Sequence, residues 1–273
     1  MSIFSYKRTV ATVFALVIAL PLLGGCAADD KDNYKERPVE ELYNDAMDLL
    51  KDESYDKAAK AFDEVERQHP YSVWATKAQL MAAYSYYVHN KFDDAIASLD
   101  RFIQLHPGHK DVAYAYYLKA LCYYEQIADV GRDQKMTSDA LKSLQEVVDR
   151  FPTSKFARDA KLKVDLARDH LAGKEMTIGR WYENQQQYLA AINRYRVVVD
   201  NYQTTTHVPE ALHRLIECYE TLGLTDEAKK TAAVLGYNYP GDQWYGDSYR
   251  LVEGIAPPEP QKKKDSGWFG GLW

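Results

Sequence analysis

The feature that most restricts the fold of this chain is that its sequence repeats itself. A shift of 37 residues places Ala58 on Ala95 and the His-Pro pair at 69–70 on the His-Pro pair at 106–107. A fixed period of this length is typical of repeat arrays, in which each unit buries its apolar face against its neighbours. Within each unit, apolar residues recur at intervals of three and four, as in amphipathic helices. The sequence therefore predicts an all-α protein built from helical hairpins.

Five units carry the same small residue, followed four positions later by a residue that is large in all but the last unit. The small residues are Ala58, Ala95, Ala140, Ala191 and Ala228, and the later ones are Phe62, Leu99, Leu144, Tyr195 and Ala232. A small residue lets the two helices of a hairpin approach closely, and the large one fills the gap beyond it. We therefore expect these positions to form the buried stripe of each hairpin.

The ends and the spacing of the units show where the array is interrupted. A proline that blocks helix continuation ends four units, whereas Gln203 stands at that place in the fourth. The spacing of the alanines lengthens from 37 residues to 45 between the second and third units and to 51 between the third and fourth. We interpret the polar segment Gln126–Thr137 as a protruding loop inserted in the third unit. Ser154–Leu171 is interpreted as an extra long helix before the fourth, capped by Thr153 or Ser154 and ended by Gly173.

This pattern resembles the tetratricopeptide repeat, which carries a small residue, an aromatic residue and a terminal proline at these offsets within about 34 residues. The resemblance covers residues 38–254 in five units. It implies a superhelix of five helical hairpins, and such arrays offer an extended concave face to a peptide or a partner domain.

The amino-terminal residues have the pattern of a bacterial lipoprotein signal. Lys7 and Arg8 precede the apolar stretch Val10–Leu23, whose 14 residues span about 21 Å as a helix, short of the ~30 Å hydrocarbon core. The Leu-Gly-Gly-Cys motif at 23–26 resembles the lipobox. We therefore predict a signal peptide over 1–25 and a lipidated tether over 26–37, with diacylglycerol and an N-acyl chain on Cys26. Ala27, in place of Asp, indicates the outer membrane.

Several short strings resemble one particular family of such lipoproteins. They are AYSYY at 83–87, LDRFI at 99–103, RFPTS at 150–154, and WY at 181–182 followed by AAINR at 190–194. They are similar to the repeats of the BamD (ComL) family, which belongs to the β-barrel assembly machinery. The resemblance implies a non-enzymatic scaffold that binds BamA, other components of that machinery, and unfolded barrel proteins.

The resemblance also implies two contact sites. It places at Arg194 an arginine that pairs with an acidic residue of BamA. Ala191, Tyr195 and Val198 form the buried stripe of that helix, and Arg194 lies about 100° away from it, at the surface. The alternative for Arg194 is a solvated ion pair along its own helix.

The second contact site is a groove for the substrate peptide in the first two repeats. In tetratricopeptide geometry the first helix of each hairpin lines the concave face, which places Tyr43, Met47, Tyr84 and Tyr87 there. Tyrosine rings that stack and hydrogen-bond suit the carboxy-terminal signal of a barrel protein. The alternative is that these four residues belong to the core between repeats.

Catalytic motifs are not found in the sequence. Phosphate-binding, dinucleotide-binding, zinc-protease and serine-hydrolase motifs are missing, and no cofactor or metal is predicted. His106 and His109 flank a Pro-Gly pair, and repeat symmetry with His69 explains His106 better than a metal does. A net charge of −6 without a large basic block makes nucleic acid an unexpected partner. Two other functions stay open: another periplasmic repeat adaptor of envelope or division machinery, and an enzyme whose site the sequence hides.

Two further predictions concern cysteines and the tail. Cys122 and Cys218 lie in apolar helical patterns far apart in sequence, and we expect both to be buried free thiols rather than a disulfide. Residues 255–273 are rich in proline, lysine and glycine and end with aromatic residues. We interpret them as a disordered tail, the alternative being a short docking motif.

Overall fold

The structure, a computed structural model, describes residues 36–254. The chain divides into two units, Met1–Pro38 and Val39–Trp273, and only the last three residues of the first unit are described. The predicted signal peptide, Cys26 and the tail at 255–273 lie outside the described residues.

The described part of the second unit consists of α-helices and the turns between them, with no strand among these residues. The predicted all-α class is therefore confirmed. The helices are α1 (Val39–Lys51), α2 (Tyr55–Gln68), α3 (Val73–Val88), α4 (Phe92–Leu105), α5 (Val112–Tyr124), α6 (Lys135–Arg150), α7 (Lys155–Asn184), α8 (Tyr188–Asn201), α9 (Val208–Thr221), α10 (Thr225–Asn238) and α11 (Gln243–Glu253).

Each helix packs against the next one in the chain, so that α1 to α10 form successive hairpins. Helices two places apart also meet: α1 contacts α3, α3 contacts α5, and α5 contacts α7. The last helix, α11, packs on both α9 and α10. The odd-numbered helices α1, α3, α5 and α7 therefore lie side by side and share one surface, which we call the odd-helix face.

The alanine stripe predicted from the repeats is confirmed. Every small position lies on an even-numbered helix and has no exposed surface, as listed for Ala58, Ala95, Ala140, Ala191 and Ala228. The large partners in the first four hairpins are fully buried as well, namely Phe62, Leu99, Leu144 and Tyr195. In the fifth hairpin Ala232 is only partly buried.

The turn that ends each hairpin has the same backbone geometry five times. The residues that cap the even-numbered helices have φ between −126° and −133° and ψ between 42° and 58°, and they are His69, His106, Phe151, Tyr202 and Tyr239. The carbonyl of each accepts a hydrogen bond from the backbone N–H three residues later. Gln203 replaces proline in the fourth turn without changing this geometry. His106 therefore repeats the structural role of His69.

Helix α7 runs through the position where the sequence predicted an end. Its amino terminus is capped as predicted, because the Ser154 hydroxyl accepts a hydrogen bond from the Ala157 N–H at 3.2 Å. The prediction that Gly173 ends the helix is wrong. Gly173 is buried in the middle of a helix of 30 residues, between the buried residues Ala172 and Met176. The long helix is thus also the first helix of the fourth hairpin, because it packs on α8.

The inserted segment in the third unit does not protrude as predicted. It returns to α7, where His170 Nε2 lies 2.8 Å from the Ala128 carbonyl oxygen. Lys174 donates a hydrogen bond to the Gly131 carbonyl at 3.1 Å. The segment is therefore held against the long helix by contacts of two loop carbonyls with side chains of α7.

The tightest contact between α7 and α8 is made by Gly179 and Tyr195. A Cβ atom at position 179 would lie 2.8 Å from Cδ1 of the Tyr195 ring, closer than real Cβ contacts allow. The Tyr195 hydroxyl then donates a hydrogen bond to Glu183 Oε2 at 2.6 Å. Burial of the ring, together with Glu183, raises the pKa of Tyr195. Only a residue without a side chain fits under this ring.

We predict that Gly179→Ala destabilises the protein, because the new methyl group meets the Tyr195 ring. Overpacking of this kind costs about 1–3 kcal/mol, which outweighs the ~1 kcal/mol that alanine gains over glycine in a helix. We expect the free energy of unfolding, measured by chemical denaturation of the purified protein, to fall by about 1 kcal/mol, the net of these two contributions. The matched control is Gly108→Ala, where a Cβ meets nothing within 4 Å. Equal stability of the two variants would contradict this assignment.

Candidate functional site

Two general features of the described residues limit the kind of site that this part of the chain presents. No group of three or more His, Cys, Asp or Glu side chains is arranged to hold a metal ion within residues 36–254. Over the same range, no helix combines the length and the apolar character that crossing a membrane requires.

A row of serine, histidine and glutamate lies where α11 packs on α9. Ser248 Oγ is 2.8 Å from His213 Nδ1, and His213 Nε2 is 3.4 Å from Glu217 Oε1. The hydrogen bond to His213 lowers the pKa of Glu217. A nucleophile must reach its substrate, whereas Ser248 has no exposed surface and His213 is covered by the Trp244 ring at 5.0 Å. The row therefore attaches α11 to α9 and offers no nucleophile to a substrate.

Aromatic side chains connect neighbouring helices across the odd-helix face. The Tyr43 ring on α1 lies 4.8 Å from the Trp74 ring on α3. On α5, the Tyr117 ring stacks on Phe156 of α7 at 5.2 Å, and the Tyr114 ring meets the same phenylalanine at 5.5 Å. Such pairs stabilise the packing by more than the burial of their apolar surface accounts for. The odd-helix face is therefore rich in aromatic rings along several helices.

Four half-buried tyrosines on α3 and α5 form what we call the tyrosine cluster: Tyr84, Tyr87, Tyr114 and Tyr117. Burial raises the pKa of Tyr87 to about 12 and that of Tyr114 to about 12. The hydroxyl of Tyr117 donates a hydrogen bond to Asp159 Oδ2 at 2.5 Å. The phenols of Tyr87 and Tyr114 therefore stay neutral at physiological pH, and each offers an apolar ring face together with a hydroxyl.

The four residues predicted for the substrate groove lie in two pairs, each half-buried against a different core cluster. Tyr84 and Tyr87 belong to the tyrosine cluster. Tyr43 lies between Trp74 and Phe62, at 5.5 Å from the phenylalanine ring, and Met47 packs against the same core. All four residues thus have one part packed on the core between repeats and one part exposed to solvent.

The sequence did not lead us to predict Tyr114 and Tyr117 as part of this cluster, although their spacing could have indicated it. The pair at 84 and 87 and the pair at 114 and 117 share the same three-residue spacing. That spacing places two side chains on one face of a helix. Two helices with such pairs, packed side by side, place all four tyrosines together.

A cleft of about 650 Å³ adjoins the tyrosine cluster, between the end of α5, the middle of α7 and the start of α9. Glu125 lines this cleft, and its Oε1 lies 3.5 Å from the Tyr87 hydroxyl, so the cluster and the cleft are continuous. The polar groups of the cleft are paired: Arg180 binds Glu210 at 2.9 Å, and His207 lies 3.6 Å from Asp169. The cleft therefore meets the tyrosine cluster at Glu125.

Arg194 lies on α8, and 41% of its side chain is exposed. The predicted buried stripe of that helix is confirmed, since Ala191, Tyr195 and Val198 have no exposed surface. The guanidinium does not pair along its own helix, because Nη1 contacts Glu175 Oε2 of α7 at 3.1 Å. A shallow hollow surrounds it, lined by Tyr182, Ala190, Asn193 and Val197.

The thiols of the described residues have the predicted state. Cys122 and Cys218 are both buried and free, which confirms that they form no disulfide with each other. Burial raises the pKa of the Cys122 thiol to about 12 and that of Cys218 to about 12. Both thiols are therefore protonated at physiological pH and form part of the core.

Comparison with known families and proteins identifies close relatives. The family model described as YfiO, outer membrane lipoprotein, matches residues 35–235. An outer membrane protein assembly factor BamD from Caulobacter vibrioides is 50% identical over 261 residues, which are 93% of this chain and 85% of that protein. The protein of the same name from Rickettsia prowazekii is 50% identical over 247 residues, 90% of this chain and 98% of that protein.

Solved structures show a weaker likeness. The tetratricopeptide domain of P58(IPK) matches with a TM-score of 0.41 and 15% identity, covering 79% of this chain and 56% of that one. The protein TTC0263 of Thermus thermophilus matches with a TM-score of 0.36 and 17% identity, covering 80% of this chain and all of that one. The all-α assignment rests on the helices of this chain and not on these scores.

The family model covers more than half of the chain, and two relatives share half of its residues over nearly its whole length. The short strings in the repeats predicted the same family. The chain therefore belongs to the YfiO family of outer membrane lipoproteins, whose relatives include the BamD outer membrane protein assembly factors.

Proposed function

We propose that this chain is a non-enzymatic scaffold, anchored by lipid at the outer membrane, which binds BamA and unfolded barrel proteins during their assembly. Its relatives are named outer membrane protein assembly factors. The observation that carries the substrate-binding part of the proposal is the tyrosine cluster on the odd-helix face, with its continuous cleft. No observation favours the alternative of an adaptor for envelope or division machinery.

The tyrosine cluster suits an unfolded barrel segment because of the chemistry of such segments. A strand that spans a barrel wall alternates apolar and polar residues, and its backbone is unpaired before it joins a sheet. Half-buried tyrosines offer rings to the apolar residues and neutral hydroxyls to unpaired backbone groups. The cleft continues this surface beyond Glu125, so an extended segment has room along several helices.

The hollow around Arg194 suits a protein partner. Two exposed apolar residues flank it in sequence: Trp181, which is 57% exposed and adjoins Tyr182, and Leu189, which is 68% exposed and adjoins Ala190. Tryptophan and arginine are enriched among the residues that dominate interface energetics. This site uses α7 and α8, whereas the tyrosine cluster uses α3 and α5. Binding BamA at Arg194 would therefore leave the tyrosine cluster accessible.

The proposed anchor is Cys26, which lies outside the described residues. The lipobox motif at 23–26 supports it, because cleavage before the cysteine frees an amino group for acylation. One diacylglycerol on sulfur and one N-acyl chain give three hydrocarbon chains, and even two chains anchor far more firmly than one. Residues 27–37 then link the lipid to α1.

We predict that Cys26→Ser releases the protein from the membrane or leaves it unprocessed, because the hydroxyl cannot carry the thioether-linked lipid. The measurement is mass spectrometry of the mature amino terminus together with membrane fractionation. A variant with the same substitution at Cys122 serves as the control and should fractionate as the unaltered protein does. A normally lipidated Cys26→Ser protein would refute the anchor.

We predict that photo-crosslinkers at positions 84 and 87 capture unfolded barrel proteins, because these side chains border the proposed track. Positions 43 and 47 should capture less, since Tyr43 and Met47 lie on α1, away from the tyrosine cluster on α3 and α5. Tyr237 is the control position, because it is 87% exposed but lies on α10, away from the tyrosine cluster. Capture from position 237 without capture from 84 or 87 would exclude this surface as the binding track.

We predict that Arg194→Glu weakens association with BamA by about 30-fold or more, which corresponds to ~2 kcal/mol at ~1.4 kcal/mol per decade. The reason is that a guanidinium grips a carboxylate with two hydrogen bonds, and a glutamate repels it. The readout is the affinity of the purified proteins, and a reversed charge on BamA should restore part of it. Circular dichroism should show unchanged helical content.

Two variants separate loss of the partner contact from loss of the internal ion pair. The double variant Arg194→Glu with Glu175→Arg restores an opposite-charge pair between α8 and α7, and we expect it to bind BamA as weakly as the single variant. Arg196→Glu makes the same charge change on an exposed residue of the same helix, and it should bind normally. Equal weakening by Arg196→Glu would show a general charge effect instead of a specific contact.

A further inference from the structure

The last two described helices leave an open groove of about 330 Å³ between them. Its floor is made of small residues of α10, namely Ala232, Ala233 and Gly236. Its wall is made of two tyrosines of α11, Tyr245 and Tyr249, whose rings meet edge to face at 5.9 Å. The groove is therefore flat at the bottom, apolar, and flanked by aromatic rings.

The aromatic wall is fixed in place by the backbone of α10. A Cβ atom at Gly236 would lie 2.6 Å from Cε2 of Tyr245, so this ring rests directly on the glycine backbone. Lys229 and Glu253 lie at the rim of the groove. Grooves with aromatic walls accept proline-rich segments, because a polyproline helix is already extended and loses little entropy on binding.

The chain itself supplies such a segment at the mouth of the groove. Helix α11 ends at Gly254, which has a φ of 70° and follows directly on the groove residues Val252 and Glu253. The next six residues read Ile-Ala-Pro-Pro-Glu-Pro. Three residues span at most ~11 Å, so Ile255 starts within that distance of Val252. A tethered segment acts at an effective concentration in the millimolar range, which lets a weak contact persist.

We propose that residues 255–260 dock in the groove between α10 and α11, with prolines against the rings of Tyr245 and Tyr249. The charge of the segment agrees with this placement, since its single acid, Glu259, can approach the rim residue Lys229. Docking covers the apolar end of the helical array, as terminal caps do in repeat proteins. It also holds the basic residues Lys262–Lys264 beside the last hairpin instead of leaving them free along the full tail.

The proposal is tested with a photo-crosslinker at position 229 of the full mature protein in detergent micelles. Lys229 and Val252 line the same groove, so a crosslink to Ile255 follows from the packing of α11, whereas a crosslink to the prolines at 257, 258 and 260 reports folding back. We expect mass spectrometry to find an intramolecular crosslink from position 229 into residues 255–260. The control is position 230, whose lysine is exposed and paired with Glu227 on the surface at 2.7 Å. It should not reach the segment.

Two further variants identify the chemistry of the contact. Replacing the prolines at 257, 258 and 260 with serine should lower the crosslink yield at least about fivefold, which is ~1 kcal/mol at ~1.4 kcal/mol per decade. Tyr249→Ser should have the same effect without loss of helical content. A crosslinker at position 259 should in turn reach α10. No crosslink in either direction, a yield that ignores the prolines, or capture of a second chain by position 229 would overturn the proposal.

Discussion

The close approach of two helices at one alanine is the constraint on which each hairpin depends. In every hairpin this alanine lies on the even-numbered helix and has no exposed surface. A larger side chain there would push the helices apart, because a packed core cannot absorb even one methylene without strain. The even-numbered helices are thereby held close to their partners. The odd-numbered helices are left to pack on one another and to present a shared face, on which the tyrosines lie.

This dependence explains which parts of the fold could be predicted from sequence. The alanine stripe and the proline turns are local signals that recur, and the structure reproduces both. Gly173 misled the prediction because glycine costs only about 1 kcal/mol within a helix. The buried residues on either side of it outweigh that cost. The inserted segment was misjudged because its polar composition does not show that Ala128 and Gly131 meet His170 and Lys174, about 40 residues away.

For the candidate site, too, the sequence predicted features of single helices but not the contacts between helices. The resemblance to tetratricopeptide repeats implied the face on which Tyr84 and Tyr87 lie, and an offset of ~100° from the buried stripe predicted the exposure of Arg194. Periodicity within a helix does not give the register between two neighbouring helices. Tyr114 and Glu175 were therefore missed, since each reaches the site only through the packing of its own helix on another. The sequence specified faces, whereas the contacts between faces required the three-dimensional structure.

The contact of Arg194 with Glu175 has two opposite effects on the proposed partner site. It orders the long arginine side chain before any partner arrives, which reduces the rotamer entropy lost on binding. It also places one carboxylate beside the guanidinium already, so a second carboxylate is repelled by the first. A guanidinium has five N–H groups in a planar fork. Glu175 accepts a hydrogen bond from Nη1, so N–H groups on the other side of the fork can donate to a second carboxylate. If a partner binds here as proposed, these effects together favour an acid placed at the far side of the fork. Such a contact is also sensitive to salt, because the pair stays partly exposed to solvent.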